Sequence, residues 1–427
     1  MPNLNQHAPL RFITAGSVDD GKSTLIGRLL YDSKALLGDQ LQQIEATSAN
    51  GNPDFSALTD GLEAEREQGI TIDVAYRYFS TARRKYIIAD TPGHEQYTRN
   101  MVTGASTAHA AVLLLDAAQL DYSQTPLQLL PQTKRHSAIL HHLRCPHIIV
   151  AINKMDLLDY DEDKYRAITA AYDALAQQLG LANVHYIPVS ALNGDNIVHA
   201  SQHTPWYTGG SLLATLEALP VDESVSDAPA AFHFPVQNVL RADGSKQDDF
   251  RGYQGRIEAG SVRVGDRVRV EPAGQESTVR EIIGINGSVA TASVGENITL
   301  RLADDIDISR GDTLLAATNA AENRRELRAT LCWFDQRPLN PARKYLLKHT
   351  TRTVAAKIRQ IEHIWDAHTL SNYADRDTLN MNDLGEVSIV LQQPVAASSY
   401  AENPATGAFI LIDDASNQTV AAGMIVA

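Results

Sequence analysis

The sequence has few of the features that mark secreted or membrane proteins. Only two cysteines, Cys145 and Cys332, occur in 427 residues, too few for a disulfide framework or for a closed zinc site of their own. No run of about 18 apolar residues is present, and Met1–Leu10 has neither a charged segment nor a long apolar stretch. We therefore expect no membrane span, no secretory signal and a reducing, cytoplasmic compartment.

Basic charge is also scarce. The chain has 37 Lys and Arg against 51 Asp and Glu, a formal net charge of −14. Non-specific binding to nucleic acid requires clustered cations, so we expect no nucleic acid among the partners, although a local basic face remains compatible with this balance. The rest of the composition, 44% hydrophobic and 21% charged, is that of an ordinary folded protein with several domains.

The first half of the chain alternates strand-like and helix-like segments. Five apolar runs have the length of strands: Arg11–Ala15, Lys85–Ala89, Ala111–Leu115, His147–Ile152 and His185–Val189. Between them lie helical patterns such as Asp161–Leu179, which stops at Gly180. Such alternation predicts βαβ units around a mostly parallel sheet.

The character of the sequence changes near residue 220. Residues 221–230 (VDESVSDAPA) are acidic and without period, as in a linker, and the segments beyond them alternate polar and apolar residues between Gly-Asp turns. We therefore predict an α/β domain over residues 1–220, a linker over 221–230, and two small antiparallel β-barrel domains over 231–325 and 326–427.

Gly16–Ser23 (GSVDDGKS) matches the phosphate-loop pattern G-x-x-x-x-G-K-[ST], placed between a predicted strand and a predicted helix. Glycines let backbone N–H groups surround phosphate oxygens at a helix N-terminus. Lys22 would place its charge at the β- and γ-phosphates, and the Ser23 hydroxyl would bind Mg²⁺. The residues predicted to contact the phosphates are Gly16, Asp19, Asp20, Gly21, Lys22, Ser23 and Thr24.

A second motif points to guanine. Asn153-Lys154-Met155-Asp156 follows a predicted strand, and in this position the Asp156 carboxylate can accept from guanine N1–H and N2–H₂, which adenine does not offer. Lys154 can lie over the base, and the Ser190-Ala191 segment after the next strand can add a backbone N–H to guanine O6. We therefore expect the nucleotide to be GTP, with guanine selected by Asn153, Lys154, Asp156, Ser190 and Ala191.

Two further segments suit a γ-phosphate. Asp90-Thr91-Pro92-Gly93-His94 follows a predicted strand; Asp90 can hold Mg²⁺ through water, Gly93 can donate its N–H to the γ-phosphate, and His94 can orient the attacking water. Thr71 can complete the Mg²⁺ shell. The motifs thus predict a P-loop GTPase with His94, Lys22 and Thr71 as catalytic residues and Ser23, Thr71 and Asp90 at the metal, its switch segments ordered by the γ-phosphate.

The order GSVDDGKST, GIT, DTPGHEQY, NKMD and SAL, followed by two β domains, resembles the translation-factor class of GTPases, the relatives of elongation factor Tu. Longer blocks resemble, more closely, the family of large, GTP-binding subunits of bacterial sulfate adenylyltransferase (ATP sulfurylase). These blocks are Gly16–Tyr31, Asp60–Ser80, Ala89–Ser106 and Gln132–Ser137. The resemblance covers nearly the whole chain.

That resemblance implies a heterodimer or larger hetero-oligomer with a smaller catalytic subunit. The smaller subunit transfers AMP from ATP to sulfate, giving adenosine 5′-phosphosulfate and pyrophosphate in sulfate assimilation, and GTP hydrolysis on the large subunit, with Mg²⁺, drives this uphill step. Some relatives carry a fused kinase for adenosine 5′-phosphosulfate; this chain has no second phosphate loop, so we expect that activity to be absent.

An alternative is a translation elongation factor that delivers tRNA. Asp20 disfavours it, because elongation factor Tu has His at this place in the loop, and the block from Asp60 to Ser80 disfavours it too. Two features stay open. Residues 117–131 read as an insertion, either a loop extension or a contact near the switch segments or the partner. The basic stretch from Arg343 to Arg359 is either a solvated barrel face or a partner contact.

Overall fold

The computed structural model describes residues 9–35, 55, 73–94, 97–221, 231–241, 250–318, 323–366, 373 and 376–426. These residues divide into two compact units, one over residues 9–221 and the other over residues 231–426. Within these ranges, no helix is both long enough and apolar enough to cross a membrane.

The first unit is built on a six-stranded sheet in the order β2-β3-β1-β4-β5-β6, parallel throughout except for the antiparallel pair β2–β3. Its strands are β1 (Leu10–Ala15), β2 (Ala75–Ser80), β3 (Lys85–Asp90), β4 (Ala110–Asp116), β5 (His147–Asn153) and β6 (Val184–Pro188). The described helices are α1 (Lys22–Asp32), α2 (Thr98–Ala105), α3 (Pro131–His142), α4 (Glu162–Leu179) and α5 (Leu212–Ala218), with 3₁₀ turns at Ala117–Gln119 and Met155–Leu158.

Local sequence explains these elements. Every residue of β4 is buried, as expected of a central parallel strand covered on both faces. Helix α4 begins after Asp161, whose carboxylate accepts from two backbone N–H groups of the first turn, and it ends at Gly180 with φ of 70°. The five predicted strands and the helix over Asp161–Leu179 are confirmed to within about two residues, the usual uncertainty of element ends.

Strand register brings polar residues to one edge of this sheet. Asp90 is the last residue of β3 and pairs with Thr14 of β1. Asp116 and Asn153 are the last residues of β4 and β5 and pair with each other. In open α/β sheets, ligands bind beyond the carboxyl ends of the strands, so this edge is where a nucleotide is expected.

The second unit contains two antiparallel β regions, each with its own core of buried apolar residues. The first region follows the strand path β7-β16-β11-β12-β15-β9-β8, with β13 beside β12 and a separate pair β10–β14. Its strands are β7 (His233–Pro235), β8 (Asn238–Arg241), β9 (Arg251–Arg256), β10 (Ser261–Arg263), β11 (Arg267–Glu271), β12 (Gln275–Gly284), β13 (Gly287–Val289), β14 (Thr291–Ser293), β15 (Asn297–Leu302) and β16 (Thr313–Ala316).

The second β region is a closed barrel in the order β17-β20-β19-β18-β21-β22. Its strands are β17 (Asn323–Trp333), β18 (Tyr345–His349), β19 (Arg352–Trp365), β20 (Leu384–Ala396), β21 (Ala408–Asp413) and β22 (Thr419–Ile425), with the short helix α6 (Pro404–Gly407). The predicted fold class, an α/β GTPase domain followed by antiparallel β domains, is confirmed. The boundaries 1–220, 231–325 and 326–427 stay a prediction.

The basic stretch of the barrel is partly neutralised by acidic neighbours. Arg343 lies 3.4 Å from an Asp413 carboxylate oxygen, Arg352 lies 3.3 Å from Asp312, and Arg359 lies 3.4 Å from Glu326. Three of its cations therefore have carboxylate partners within the second unit, which favours the interpretation as a solvated barrel face.

Candidate nucleotide-binding and hydrolysis site

The phosphate loop joins β1 to α1, and its turn requires glycine. Gly21 has φ of 93°, and a Cβ added there would lie 2.5 Å from Nδ2 of Asn153. At Gly16 an added Cβ would lie 2.9 Å from the carbonyl oxygen of Leu114. Helix α1 begins directly after this turn, at Lys22, so its first free N–H groups face the loop. This is the arrangement that binds a phosphate.

Lys22 is held inside the loop by its own backbone. The Nζ atom donates to the carbonyl oxygens of Gly16 at 3.1 Å and Ser17 at 2.6 Å. Burial lowers the pKa of this ammonium, while Asp20, Asp90 and Asp19 oppose the shift. An ammonium has three N–H donors. Two of them bond to these loop carbonyls and fix the side chain, and the third can donate to a phosphate oxygen.

The two loop aspartates behave differently. Asp19 is exposed and has φ of 65°. Asp20 is 1% exposed, and its Oδ2 accepts from the backbone N–H of Ser17 at 2.5 Å. Burial raises the pKa of Asp20 to about 6, against the lowering effect of Lys22 and of that hydrogen bond. The Asp20 carboxylate therefore contributes to the shape of the loop at an electrostatic cost.

Two of the residues predicted to bind Mg²⁺, Ser23 and Asp90, lie near Lys22. Asp90 is buried at the end of β3, and its Oδ1 accepts from the Thr14 hydroxyl at 3.0 Å. Ser23 lies in the first turn of α1. A hydroxyl and a carboxylate are hard donors that suit Mg²⁺. The described residues contain no cluster of three or more His, Cys, Asp or Glu placed for a metal.

Gly93 and His94 lie in the segment that follows Asp90 at the end of β3. Gly93 lies against the loop: a Cβ added to it would lie 2.4 Å from Nζ of Lys22 and 2.6 Å from the carbonyl oxygen of Gly16. Its backbone is therefore within reach of a phosphate bound at Lys22. The His94 ring is exposed, with its centroid 6.0 Å from that of Tyr97. Thr71, the third predicted catalytic residue, lies outside the described residues.

Asn153 ties the base end of the site together. Its Nδ2 donates to the Asp20 carbonyl at 2.7 Å, and its Oδ1 accepts from the Ala191 N–H at 2.9 Å. Ser190 is fully buried beside it, and its hydroxyl accepts from the Asn193 N–H at 3.2 Å. One amide therefore links the phosphate loop to the Ser190-Ala191 segment predicted to contact guanine.

Lys154 and Asp156 complete that end. Lys154 has φ of 63°, and its Nζ donates to Asp116 Oδ2 at 2.7 Å. Asp156 lies half-buried in the 3₁₀ turn that follows. The turn is anchored by Met155, a buried residue whose N–H donates to the Val189 carbonyl at 3.3 Å. Asp156 is thus held next to the end of β6, at the sheet edge where the sequence predicts the guanine to bind.

Sequence reasoning missed three supporting residues: Thr14, Asp116 and Gln132. Asp116 is 2% exposed and accepts from the Ala118 N–H and from Gln119 Nε2, both at 2.9 Å, as well as from Lys154. A signal was available, because Asp116 is an acidic residue that ends a strand of apolar residues, and Asp90 likewise ends β3. Residues 117–131 begin at this point: Tyr122 donates to the Ala117 carbonyl at 2.7 Å, and its ring lies under Lys164.

Comparison with known proteins agrees with this geometry. Residues 8–228 match the Elongation factor Tu GTP binding domain family, and residues 326–426 match the GTP-eEF1A C-terminal domain-like family. The first of these matches covers more than half of the chain.

Close relatives carry a more specific name. Sulfate adenylyltransferase subunit 1 of Cellvibrio japonicus is 47% identical over 424 residues, which cover 98% of this chain and 86% of that protein. The protein of the same name from Chromobacterium violaceum is 48% identical over 434 residues, 99% of this chain and 88% of that protein. The bifunctional enzyme CysN/CysC of Mycobacterium tuberculosis is 49% identical over 422 residues, 97% of this chain and 67% of that protein. The chain therefore belongs to the sulfate adenylyltransferase subunit 1 family, within the translation-factor superfamily of GTPases.

Proposed function

We propose that this chain is the GTP-hydrolysing subunit of a sulfate adenylyltransferase. The observation that carries the proposal is the convergence on one sheet edge of the phosphate loop, the Asp90–His94 segment and the guanine motif, with Asn153 bonded to both ends. Membership of the subunit 1 family gives this GTPase its metabolic context.

Binding is divided between two groups of residues. The loop amides and Lys22 take the phosphates, and Mg²⁺ would be held by Ser23, Asp90 and the predicted ligand Thr71. Asp156 accepts from the guanine N–H groups, Lys154 lies over the base, and Ala191 donates to O6. Asn153 fixes the distance between the two groups because its amide contacts the loop at Asp20 and the base segment at Ala191.

Hydrolysis breaks the bond between the β–γ bridging oxygen and the γ-phosphorus as water attacks, giving GDP and phosphate. His94 orients that water, Gly93 donates its N–H to a γ-phosphate oxygen, and Lys22 stabilises charge on the β–γ bridge. Mg²⁺ supplies neutralisation of the β- and γ-oxygens when it is bound. Such catalysis consists mainly of positioning and charge stabilisation, so the isolated chain is expected to turn over slowly.

The energy of this reaction is proposed to drive adenylyl transfer on a smaller catalytic partner subunit. There, AMP passes from ATP to sulfate, with release of pyrophosphate. The subunit 1 name of the relatives supports a partner of this kind. We also propose a cytoplasmic location, supported by the two free cysteines, Cys145 and Cys332.

The test is steady-state GTP hydrolysis by the purified chain with its small partner subunit, with and without ATP plus sulfate. We expect ATP and sulfate to raise the rate of GTP hydrolysis and adenosine 5′-phosphosulfate to form alongside. His94→Ala and Lys22→Ala should each lower hydrolysis about 100-fold or more. No response to ATP and sulfate, with stimulation by ribosomes instead, would overturn the proposal in favour of a translation factor.

A further inference from the structure

The amide of Gln132, in the first turn of α3, has a hydrogen-bond partner at each of its atoms. Its Nε2 donates to the carbonyl oxygen of Gly93 at 3.2 Å and lies 2.9 Å from Nε2 of His136. Its Oε1 accepts from the guanidinium of Arg135 at 3.1 Å. A side chain held by three partners has one orientation, and this one is aimed at the Asp90–His94 segment.

The partners also fix which way the amide points. A flipped amide would set its oxygen against the Gly93 carbonyl oxygen and its NH₂ group against the Arg135 guanidinium, two repulsive contacts. With the observed orientation, Nε2 of His136 must accept, so that ring is neutral with its proton on Nδ1. Burial, together with the positive charges of Lys22 and Arg135, lowers the pKa of His136 to about 3, which keeps the ring neutral.

The bond to Gly93 matters because of what Gly93 adjoins. Its carbonyl and the N–H of His94 belong to one rigid peptide plane. On the other side, Gly93 packs so closely on the loop that a Cβ would lie 2.4 Å from Nζ of Lys22. Gln132 therefore holds the peptide unit that joins the γ-phosphate contact to the residue that orients water.

We propose that Gln132 is a positioning residue for GTP hydrolysis: it fixes the Gly93–His94 peptide and through it the His94 ring, while His136 and Arg135 fix Gln132. The proposal rests on the roles given above to Gly93 and His94. It assigns α3 the task of setting the geometry of the water-orienting residue, with no contact between Gln132 and the nucleotide.

The test compares single-turnover GTP hydrolysis and fluorescent-GTP affinity for the full-length chain and its variants. Gln132→Ala is expected to lower the hydrolysis rate about tenfold, because a small misplacement of a catalytic group is costly, and to leave GTP affinity within about twofold of wild type. Gln132→Glu keeps the volume but cannot donate to Gly93, so it should lose as much. The matched control is Gln128→Ala, whose amide donates to the Pro126 carbonyl on the exposed segment before α3.

A double variant separates positioning from a structural role. If Gln132 acts through His94, then Gln132→Ala should change the rate less than twofold in a His94→Ala background, since coupled residues are not additive. Three results would overturn the proposal: rate losses that are additive in the double variant, a fall in GTP affinity parallel to the fall in rate, or wild-type rates in both Gln132 variants. A wild-type rate in His94→Ala alone would instead overturn the role of His94 in the proposed function.

Discussion

The two ends of the nucleotide site are constructed differently. At the base end, side chains at strand ends make the contacts: the Asn153 amide bonds to the backbone of Asp20 and Ala191, and Lys154 bonds to the Asp116 carboxylate. At the phosphate end, charged groups are held by a turning backbone, as Lys22 is by two loop carbonyls.

The electrostatic costs differ as well. Burial lowers the pKa of Lys22 and raises the pKa of Asp20. The phosphate end therefore holds two ionisable groups in surroundings that disfavour their charged forms. The proposed base end is thus built from strand ends, whereas the proposed phosphate end depends on a tight turn and on charge balance. Substitutions at the two ends should therefore fail in different ways.

The largest expected effect is at the phosphate end. In Gly93→Ala, the new methyl group would lie 2.6 Å from the Gly16 carbonyl oxygen as well as against Lys22, and a backbone oxygen cannot move aside as a flexible side chain can. We expect hydrolysis to fall about 10²–10³-fold, as when an essential phosphate-side donor is lost. Single-turnover phosphate release measures the change.

The matched control for that variant is Gly210→Ala, where the nearest atom to an added Cβ lies at 3.4 Å. It should retain the wild-type rate. A Gly93→Ala variant that hydrolyses GTP normally would show that the close approach of Gly93 to the loop has no part in the reaction.

At the base end, Asn153→Ala should weaken GDP and GTP equally. The substitution removes both hydrogen bonds of a buried amide that is 2% exposed, so the Ala191 N–H and the Asp20 carbonyl lose their contact with Asn153. We expect the binding free energy to weaken by about 2–3 kcal/mol. Isothermal titration calorimetry with GDP and with GTP measures the two affinities. The control is Asn193→Ala, on an exposed residue, which should bind both nucleotides as wild type does. Loss of GTP binding alone would contradict a base-end role for Asn153.

The strand ends were the part of the site that sequence predicted well. Asp90 and Asn153 each follow an apolar run of strand length, and parallel strands bring their carboxyl ends to one edge, so their placement at that edge agrees with the pattern. The same reasoning places Asp116 at this edge, because it is the acidic residue that ends β4.

The cross-links between segments were not predictable. Asn153 and Asp20 are 133 positions apart, and nothing in either local sequence specifies that an amide and a backbone carbonyl meet. The inward fold of Asp20 depends on the backbone of the turn, where Asp19 and Gly21 both have positive φ. Gln132 reaches Gly93 only because α3 packs beside the sheet edge. Such contacts depend on tertiary packing, which residue types and spacing do not encode.

An effect of similar size is expected from pH acting on Asp20. The folded pKa of about 6 lies above the ordinary 3.8, so between these values the folded protein binds more protons than the unfolded chain, and stability falls as pH rises through this window. Asp20→Asn keeps an acceptor for the Ser17 N–H but has no ionisable group there, so its stability does not fall with pH for this reason. It should be more stable than wild type by about 3 kcal/mol above pH 7, with the gain vanishing below about pH 4.

Thermal melting of the protein without nucleotide, at pH 4 and pH 8, measures that difference. Asp19→Asn, on an exposed carboxylate of the same loop, is the matched control and should show no pH-dependent gain. If Asp20→Asn melts with wild type at both pH values, the burial cost assigned to Asp20 is wrong.

The smallest effect is expected at the Lys154–Asp116 pair. Asp116→Asn replaces the carboxylate that Lys154 and Gln119 share. The Lys154 side chain is 30% exposed and can rehydrate, so the loss should be about 1 kcal/mol, seen as a GDP dissociation rate several-fold faster in stopped-flow chase experiments. Asp121→Asn, a turn carboxylate bonded to Ser123 and Gln124, should leave that rate unchanged. Because a base-end contact acts on nucleotide residence, single-turnover hydrolysis of bound GTP should stay at the wild-type rate in Asp116→Asn; a slower chemical step would mean that the two ends are coupled through β4.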